Sequence, residues 1–336
     1  MQRGVLLGFS GGIDSCTAAR LLQAEGYRVV ALTIDTIGDV AMMRKAEESA
    51  RRLGVEWMSY DATALFRHEV IDYFTREYAE GRTPAPCTRC NTHIKWHVLR
   101  EVADSLGLEH IATGHYFNIE ERDGRWYVAK GVDPQKDQSY YLWGLSQEVL
   151  RRAIVPMGRH IKSEVKLNFE DKSESMGVCF LQGMRYADFL VRNGVTMAEG
   201  DICTVDGHCV GRHSGIACYT IGQRRGEGIP EGMRVVEIER EGNRIIVGEN
   251  AMLNKHKLYV EQCNIVSREE LLSRSDITIK IRGIGRNPVL PVVVEPHGEG
   301  YMVTTEDAAW APAKGQPLVF YRNNLVIGGG IVVGFE

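Results

Sequence analysis

The sequence contains no apolar run long enough to cross a membrane. Its longest apolar stretch, residues 325–335, is interrupted by Gly328, Gly329 and Gly330, whereas a membrane helix needs about 18 or more consecutive apolar residues. The apolar stretch after Met1 is also shorter than the apolar core of a signal peptide. We therefore expect a cytoplasmic location and no membrane partner.

The chain also lacks a large excess of either charge, internal repeats and low-complexity tracts. It has 336 residues, with 40 Lys and Arg against 44 Asp and Glu and a formal net charge of −4. Its composition, 44% hydrophobic and 25% charged, excludes disordered and fibrous classes. This length predicts two or three domains. Because the net charge is slightly negative, any RNA partner must be held by local basic patches.

Cysteine is comparatively abundant, with eight residues in a chain expected to lie in a reducing compartment. Such cysteines are more often free, catalytic or metal-binding than joined in structural disulfides. They are residues 16, 87, 90, 179, 203, 209, 218 and 263.

Alternating strand and helix patterns in the first third of the chain predict a parallel α/β sheet. The predicted strands are residues 5–9, 28–35, 55–60 and 109–113, and the predicted helices are residues 16–25, 42–53, 65–79 and 91–106. Residues 127–141 are predicted to form a hairpin arm and loop. From Gly194 onwards, short β-rich runs and glycine turns predominate, apart from a short helix at 268–272. We predict domains at residues 1–192, 193–258 and 259–336: an α/β domain, a small β-rich domain and a β-barrel.

A glycine-rich loop directly follows the first predicted strand and precedes the first helix. Backbone N–H groups in such a loop, together with the positive end of the helix, bind phosphate. The segment matches neither a Walker A loop nor a dinucleotide-binding fingerprint. The alternative is a simple glycine turn capped by Ser10 or Asp14. The candidate phosphate-binding residues are Gly8, Phe9, Ser10, Gly11, Gly12, Ile13, Asp14 and Ser15.

Two residues at the end of the second predicted strand lie at the same edge of the sheet. Asp35 could contact ribose or a metal, or it could simply be a surface residue. Ile34 is the better candidate for contact with adenine, through its backbone.

A C-x-x-C pair, Cys87 and Cys90, follows Pro86 at the start of a predicted helix. A helix N-terminus lowers the pKa of a nearby thiol, so a reactive thiolate is chemically reasonable here. Cys179 lies far away, in a short apolar run. The alternative for the C-x-x-C pair is half of a zinc site completed by Cys203 and Cys209.

Several collinear motifs make the chain similar to a known family. The loop at 10–15 resembles the PP-loop of ATP pyrophosphatases. Further motifs lie, in this order along the chain, at residues 83–91, 112–116, 136–140, 177–180, 219–226, 279–282 and 315–316. Because of these segments, the sequence resembles the tRNA-specific 2-thiouridylases, the MnmA family, across nearly the whole chain.

The resemblance implies a PP-loop domain of the adenine nucleotide alpha hydrolase type, followed by the two β domains. It implies an ATP-dependent tRNA sulfurtransferase that uses ATP and Mg²⁺. The enzyme would adenylate O2 of a tRNA uridine at the wobble position. A persulfide on Cys179 would then supply sulfur to C2, and Cys90 would release that sulfur by forming a disulfide with Cys179. The sulfur donor would be another protein or inorganic sulfide.

The same resemblance assigns further site residues. Gly114 would lie beside the nucleotide, together with Ile34. Ala85, Pro86 and Cys87 would line the target base. The remaining residues expected to contact tRNA are His115, Lys136, Asp137, Gln138, Arg282 and Gln316. Arg224 and Arg225 are basic residues that could position phosphates.

The sequence departs from the family pattern at three places. Cys87 replaces a position that is often Asp, and the segments after Asp35 and between Val165 and Cys179 are short. Cys87, Cys90 and Cys179 could therefore ligate a [4Fe-4S] cluster with one open iron, which is an alternative route for the sulfur. Two other functions stay open: a PP-loop amide ligase acting on a small molecule, and a non-catalytic RNA-binding or iron–sulfur sensor.

Overall fold

The computed structural model describes residues 3–165, 177–283 and 286–336. The chain forms two compact units. Unit 1 comprises residues 1–70, 87–176 and 324–327, and unit 2 comprises residues 71–86, 177–323 and 328–336. The predicted short segment between Val165 and Cys179 falls mainly on residues 166–176, outside the described residues.

A parallel five-stranded sheet forms the centre of unit 1 and confirms the predicted α/β class. The strands are β1 (Gly4–Gly8), β2 (Arg28–Asp35), β3 (Glu56–Asp61), β4 (His110–Thr113) and β7 (Ala153–Ile154), in the order β3-β2-β1-β4-β7. Their apolar side chains pack into a core with α1 (Ile13–Ala24) and α2 (Val40–Leu53). Since β1 pairs with β2 and β4 in parallel, the ends of these strands meet at one edge of the sheet, beside the glycine loop.

The remaining helices differ in detail from the predicted ones. The single helix predicted at 65–79 is α3 (Thr63–Phe66), a π-helical stretch (Arg67–Asp72) and α4 (Tyr73–Ala79). The helix predicted at 91–106 is preceded by α5 (Pro86–Cys90), begins with a π-helical stretch (Asn91–Lys95) and continues as α6 (Trp96–Ser105). Helix α7 (Gln147–Arg152) also belongs to unit 1.

Residues 127–130 belong to a hairpin arm, and a loop follows them, as predicted for 127–141. The arm is β6 (Arg125–Lys130), which pairs antiparallel with β5 (Phe117–Arg122). Asp123 and Gly124, with φ values of 51° and 74°, make the turn between them. The first arm, β5, was not predicted, although Asp-Gly with positive φ at both positions is a strong hairpin turn.

The first sheet of unit 2 contains four strands in the order β10-β11-β8-β9. They are β8 (Gly200–Thr204), β9 (Cys209–His213), β10 (Arg234–Glu239) and β11 (Arg244–Gly248), and α8 (Tyr186–Arg192) precedes them. The pair β8 and β11 is parallel, and the other pairs are antiparallel. Ile202, Tyr219, Val235, Ile245 and Val247 form its core.

The second sheet of unit 2 is antiparallel, in the order β13-β16-β17-β12-β15-β14. Its strands are β12 (Asn254–Ile265), β13 (Ile277–Lys280), β14 (Val292–His297), β15 (Gly300–Trp310), β16 (Pro317–Arg322) and β17 (Leu325–Phe335). The short helix predicted at 268–272 is α9 (Arg268–Ser273), capped by the Ser267 side chain, which accepts from the Glu270 backbone. No helix in the described part of the chain is long and apolar enough to span a membrane.

Candidate active site

The predicted phosphate loop connects β1 to α1. Gly12 is the residue that precedes α1, and its carbonyl accepts hydrogen bonds from the Cys16 backbone and from Ser15 Oγ, both at 3.0 Å. Ser10 Oγ lies 3.3 Å from Ser15 Oγ. These bonds fix the loop at the N-terminus of a twelve-residue helix, where the helix dipole favours an anion.

Two glycines let the backbone pass closely at this loop. Gly11 has a φ of 72°, and a Cβ at this position would lie 2.7 Å from Cα of Ala46. A Cβ on Gly114, at the end of β4, would lie 3.0 Å from the carbonyl carbon of Asp14 and from the nitrogen of Ser15. The structure therefore brings Gly114 to the loop, and its contact with the nucleotide stays a prediction. Both positions therefore require glycine, because α2 and the segment after β4 pack directly against the backbone of the loop.

The carboxylate of Asp14 is held by two residues that sequence reasoning missed as site residues. The Tyr116 hydroxyl donates to Asp14 Oδ1 over 2.8 Å, and the Lys162 ammonium forms an ion pair with the same oxygen. That ammonium also lies 5.8 Å from the centre of the Tyr116 ring. Lys162 stands 148 positions from Asp14, so no local pattern could have linked the two.

Asp133 fixes the backbone beside Lys162. Its Oδ2 accepts from the Lys162 backbone nitrogen over 2.9 Å. This bond, with further backbone bonds to the same carboxylate, holds the pKa of Asp133 below its usual range. Lys162 is thus tied at both its backbone and its ammonium, which places a cation beside the phosphate loop.

At the end of β2, the two candidate nucleotide-binding residues, Asp35 and Ile34, have different surroundings. The Asp35 carboxylate accepts from the backbone nitrogens of Ile37 and Gly38, at 3.1 and 2.7 Å. It therefore caps the turn after the strand. Ile34 lies opposite Tyr60 of β3, near the edge of the sheet that carries the phosphate loop.

The segment 136–139 is organised by its own side chains. The side-chain Oε1 of Gln138 accepts a hydrogen bond from the Tyr116 backbone nitrogen over 2.8 Å. The backbone nitrogen of Gln138 donates to the Tyr116 carbonyl over 2.9 Å. Asp137 accepts from Ser139 Oγ over 2.9 Å and from the Gly131 nitrogen over 3.1 Å. Gln138 and Asp137 thus hold this loop against Tyr116, the residue that contacts Asp14. Lys136 precedes them on the same loop and is partly exposed.

His115 has an unusual environment for a residue expected to contact RNA. Its Nδ1 lies 2.8 Å from Thr113 Oγ1, and its ring stacks on Trp96. Burial, reinforced by the positive charge of Lys95, lowers the pKa of His115 to about 3. The imidazole is therefore neutral at physiological pH and can contact RNA only as a neutral group.

The C-x-x-C pair lies on α5, with Cys87 exposed and Cys90 buried. Arg89 between them forms an ion pair with Glu69 at 2.7 Å. Burial raises the pKa of Tyr141, and the charge of Cys87 raises it further. Cys87 is thus the more accessible of the two sulfurs.

The residues that precede Cys87 are anchored within unit 2. The Gln316 side-chain amide donates to the Thr83 carbonyl over 2.9 Å and to the Pro84 carbonyl over 3.1 Å. The Thr83 nitrogen donates to the Lys314 carbonyl over 2.8 Å. Gln316 therefore fixes the backbone that leads directly to Ala85 and Pro86.

Cys179 begins a short 3-10 turn, Cys179–Leu181, and its side chain is exposed. The next residue, Phe180, is buried against the rings of Phe74 and Phe189, with ring centres 5.1 Å apart in both pairs. This aromatic cluster anchors the turn while leaving the sulfur of Cys179 accessible to solvent.

The described residues contain no group of three or more His, Cys, Asp or Glu side chains placed to hold a metal ion. The [4Fe-4S] cluster on Cys87, Cys90 and Cys179 and the alternative zinc site with Cys203 and Cys209 stay predictions, because their ligands are divided between unit 1 and unit 2.

Arginines in unit 2 form a basic surface. The Arg234 and Arg282 guanidiniums lie 5.6 and 5.4 Å from the Trp310 ring centre. Arg282 also donates to the Ala311 carbonyl. Arg234 lines a groove of about 640 Å³ together with Arg224 and Arg225. Both of these last residues are exposed.

The chain matches three families over consecutive segments. Residues 3–183 match the family described as tRNA methyl transferase HUP domain. Residues 187–249 match the tRNA methyl transferase PRC-barrel domain, and residues 255–332 match the aminomethyltransferase beta-barrel domain. The predicted order of a parallel-sheet domain, a β-rich domain and a β-barrel is therefore confirmed.

Full-length relatives agree with these matches. The chain is 38% identical to tRNA-specific 2-thiouridylase MnmA 2 of Phocaeicola vulgatus, over 98% of this chain and 97% of the relative. It is 39% identical to tRNA-specific 2-thiouridylase MnmA of Amoebophilus asiaticus, over 98% and 95%. It is 35% identical to the MnmA of Clostridium acetobutylicum, over 99% and 100%. With this identity over nearly the whole of each chain, the protein belongs to the MnmA family of tRNA-specific 2-thiouridylases.

Proposed function

We propose that this protein is an ATP-dependent tRNA uridine 2-sulfurtransferase that acts on the wobble uridine. One observation carries the proposal: a single chain combines a backbone phosphate cradle with an exposed Cys179, and it matches 2-thiouridylases over 98% of its length. The domain boundaries after residues 192 and 258 and the site residues predicted from the sequence are part of this proposal.

In the first step, the loop at Gly8 to Ser15 holds the phosphates of ATP, and Ile34 and Gly114 lie beside the nucleotide. Mg²⁺, which proteins usually bind together with substrate phosphates, would neutralise phosphate charge. Lys162 adds a fixed cation beside Asp14. O2 of uridine attacks the α-phosphorus, the bond to the β-phosphate breaks, and pyrophosphate leaves.

In the second step, the terminal sulfur of a Cys179 persulfide attacks C2 of the adenylated uridine, and AMP leaves. The Cys90 thiolate then attacks Sγ of Cys179. The sulfur–sulfur bond to the substrate breaks, and 2-thiouridine and a Cys90–Cys179 disulfide result. A thiolate is the attacking species in such exchanges. An external dithiol resets the pair, and a sulfur-donor protein reloads Cys179.

Residues that the family resemblance assigns to tRNA would hold the substrate. Ala85, Pro86 and Cys87 would line the flipped base, because enzymes that modify a base must take it out of its stack. His115, Lys136, Asp137 and Gln138 would contact the RNA beside the phosphate loop. Arg282 and Gln316 would hold the anticodon arm, and Arg224 and Arg225 would contact phosphates.

The test is a reconstituted reaction with the purified chain, ATP, Mg²⁺, unmodified tRNA transcript and a persulfide donor. We expect AMP, pyrophosphate and 2-thiouridine in equal amounts. Cys179→Ser should still release pyrophosphate slowly in the presence of tRNA but should form no 2-thiouridine, whereas Cys263→Ser should behave as the unmodified chain. Pyrophosphate release that does not require tRNA but requires a small carboxylate would support an amide ligase instead. Binding of tRNA with no ATP cleavage would support a non-catalytic RNA-binding protein.

A further inference from the structure

Two cysteines of the first sheet of unit 2 lie side by side, outside the proposed active site. Cys203 is the last residue of β8 that pairs with β9, and its partner is Cys209, the first residue of β9. Their Sγ atoms are 3.0 Å apart. The turn that joins them is closed by bonds from the Thr204 nitrogen to the His208 carbonyl, at 2.8 Å, and from the Gly207 nitrogen to the Thr204 carbonyl, at 2.9 Å. A short, hydrogen-bonded hairpin therefore holds the two sulfurs in contact.

The two thiols are not equivalent. Cys203 is buried, with 2% of its surface exposed, whereas Cys209 is exposed. The contact with Cys209 raises the pKa of Cys203 to about 11, and burial adds to this effect. Cys203 thus keeps its proton more readily, and Cys209 is the residue of the pair that is exposed to solvent.

The strand next to β8 carries a cation. Arg244 begins β11 and is paired in register with Asp201. Its guanidinium forms an ion pair with Glu239 at 2.6 Å. The hydrogen bond and charge of Glu239, and to a smaller extent the charges of Cys203 and Cys209, raise the pKa of Arg244.

We propose that Cys203 and Cys209 form a thiol–disulfide modification site, which reacts with low-molecular-weight disulfides of the glutathione type. Cys209 is the attacking sulfur and Cys203 is the resolving sulfur. This site does not depend on the proposed sulfur transfer. In a reducing compartment, such a disulfide would be reversible, as cytosolic protein disulfides usually are.

The reaction balances in two steps. The Cys209 thiolate attacks one sulfur of the small disulfide, a mixed disulfide forms, and one small thiolate leaves. Sγ of Cys203 then attacks the Cys209 sulfur, and its proton goes to the second small thiolate as that leaves. The protein loses two hydrogens and gains one disulfide, and one small disulfide becomes two small thiols.

The sequence allows a direct test by mass spectrometry. Residues 193–212 form one tryptic peptide, because no Lys or Arg lies between Arg192 and Arg212. The reduced, full-length protein is incubated with oxidised glutathione, alkylated without reduction and digested. We expect this peptide to lose two hydrogens, to carry no alkyl group and to carry no glutathione. Addition of excess reduced glutathione should restore alkylation of both residues.

Two variants and a control locate the roles of the sulfurs. Cys203→Ser should retain glutathione on Cys209, because the resolving sulfur is missing. Cys209→Ser changes an exposed position and should slow oxidation of this peptide at least tenfold. Cys218→Ser, at a half-buried cysteine of the same unit, should leave the peptide's oxidation unchanged. A stable glutathione adduct on the unmodified chain, or full alkylation of both cysteines after exposure to oxidised glutathione, would overturn the proposal.

Discussion

The side chain of Gln316, the residue before β16 in the second sheet of unit 2, is hydrogen-bonded to the backbone of Thr83, which lies 233 positions earlier in the sequence. Its amide nitrogen donates to the Thr83 carbonyl at 2.9 Å and to the Pro84 carbonyl at 3.1 Å. The family resemblance assigns Gln316 to the anticodon arm. The contacts add a positioning role, since the bonded segment leads directly to the residues proposed to line the target base.

Gln316→Ala should loosen this segment. Each lost hydrogen bond costs about 1 kcal/mol, and a loss of one or two kcal/mol corresponds to about a five- to thirtyfold change in an opening equilibrium. Hydrogen exchange at the Thr83 and Ala85 amides should accelerate by that factor. Gln262→Ala, at an exposed residue of the same sheet, is the control. Equal exchange in both variants would show that Gln316 does not anchor the segment.

Lys162→Met should weaken ATP binding. The variant removes the cation that pairs with Asp14 beside the phosphate loop. Hydrogen bonds to charged groups contribute about 1.5–3 kcal/mol, which corresponds to about a ten- to hundredfold rise in Kd. Calorimetric titration with ATP measures this directly. Lys162→Arg keeps the charge and should retain most of the affinity, and an unchanged Kd for Lys162→Met would remove Lys162 from the nucleotide site.

His115 should make folding more favourable as the pH rises. Its pKa of about 3 in the folded protein lies below that of an unfolded histidine, near 6.5, so the unfolded chain binds more protons between these values. The contribution of His115 to the free energy of unfolding is present above pH 6.5 and is lost progressively as the pH falls from 6.5 towards 3. Between pH 7.5 and 5, the free energy of unfolding should fall by at most about 2 kcal/mol through this residue.

Denaturant unfolding at the two pH values tests this effect by difference. His115→Gln should show a smaller loss of stability than the unmodified chain. His68→Gln, at a histidine whose side chain is 79% exposed, should not differ from it. A loss in His115→Gln as large as that of the unmodified chain would contradict a neutral His115 imidazole in the folded protein.

Replacing Arg224 and Arg225 together with Ala should weaken tRNA binding at low salt. Each phosphate contact adds about 0.7–0.9 to the slope of log K against log salt. If both arginines bind phosphates, the slope should fall by about 1.4–1.8. Arg212→Ala is the matched control, because Arg212 is exposed in the same part of the chain but is paired with Asp201 and Glu199. An unchanged slope in the double variant would remove this groove from the RNA surface.

Local patterns predicted four of the five strands of the sheet in unit 1 and the helices between them. Alternating apolar runs and Gly54, with a φ of 66° at the end of α2, marked several elements closely. The short strand β7, helix α7 and the first hairpin arm, β5, were missed, although Asp123 and Gly124 form a turn with a known sequence signature. The start of α2 was set two residues late, because Asp39 caps the helix by accepting from the Met42 nitrogen over 3.0 Å.

The candidate site was predictable where its chemistry lies in contiguous residues. The phosphate loop and the C-x-x-C pair are of this kind. The ion pair of Lys162 with Asp14 and the anchoring of Thr83 by Gln316 depend on residues 148 and 233 positions apart. Only the folded chain brings these residues together, so no spacing rule could have identified them.

Sulfur transfer to tRNA through Cys179 can be tested in cells. Nucleosides of total tRNA are measured by mass spectrometry in a strain that lacks this protein and any paralogue, with and without rescue. We expect 2-thiouridine derivatives to disappear in the deletion strain. They should return with the unmodified chain and with Cys263→Ser, but not with Cys179→Ser. Unaltered 2-thiouridine in the deletion strain, or full rescue by Cys179→Ser, would show that Cys179 of this protein does not transfer the sulfur.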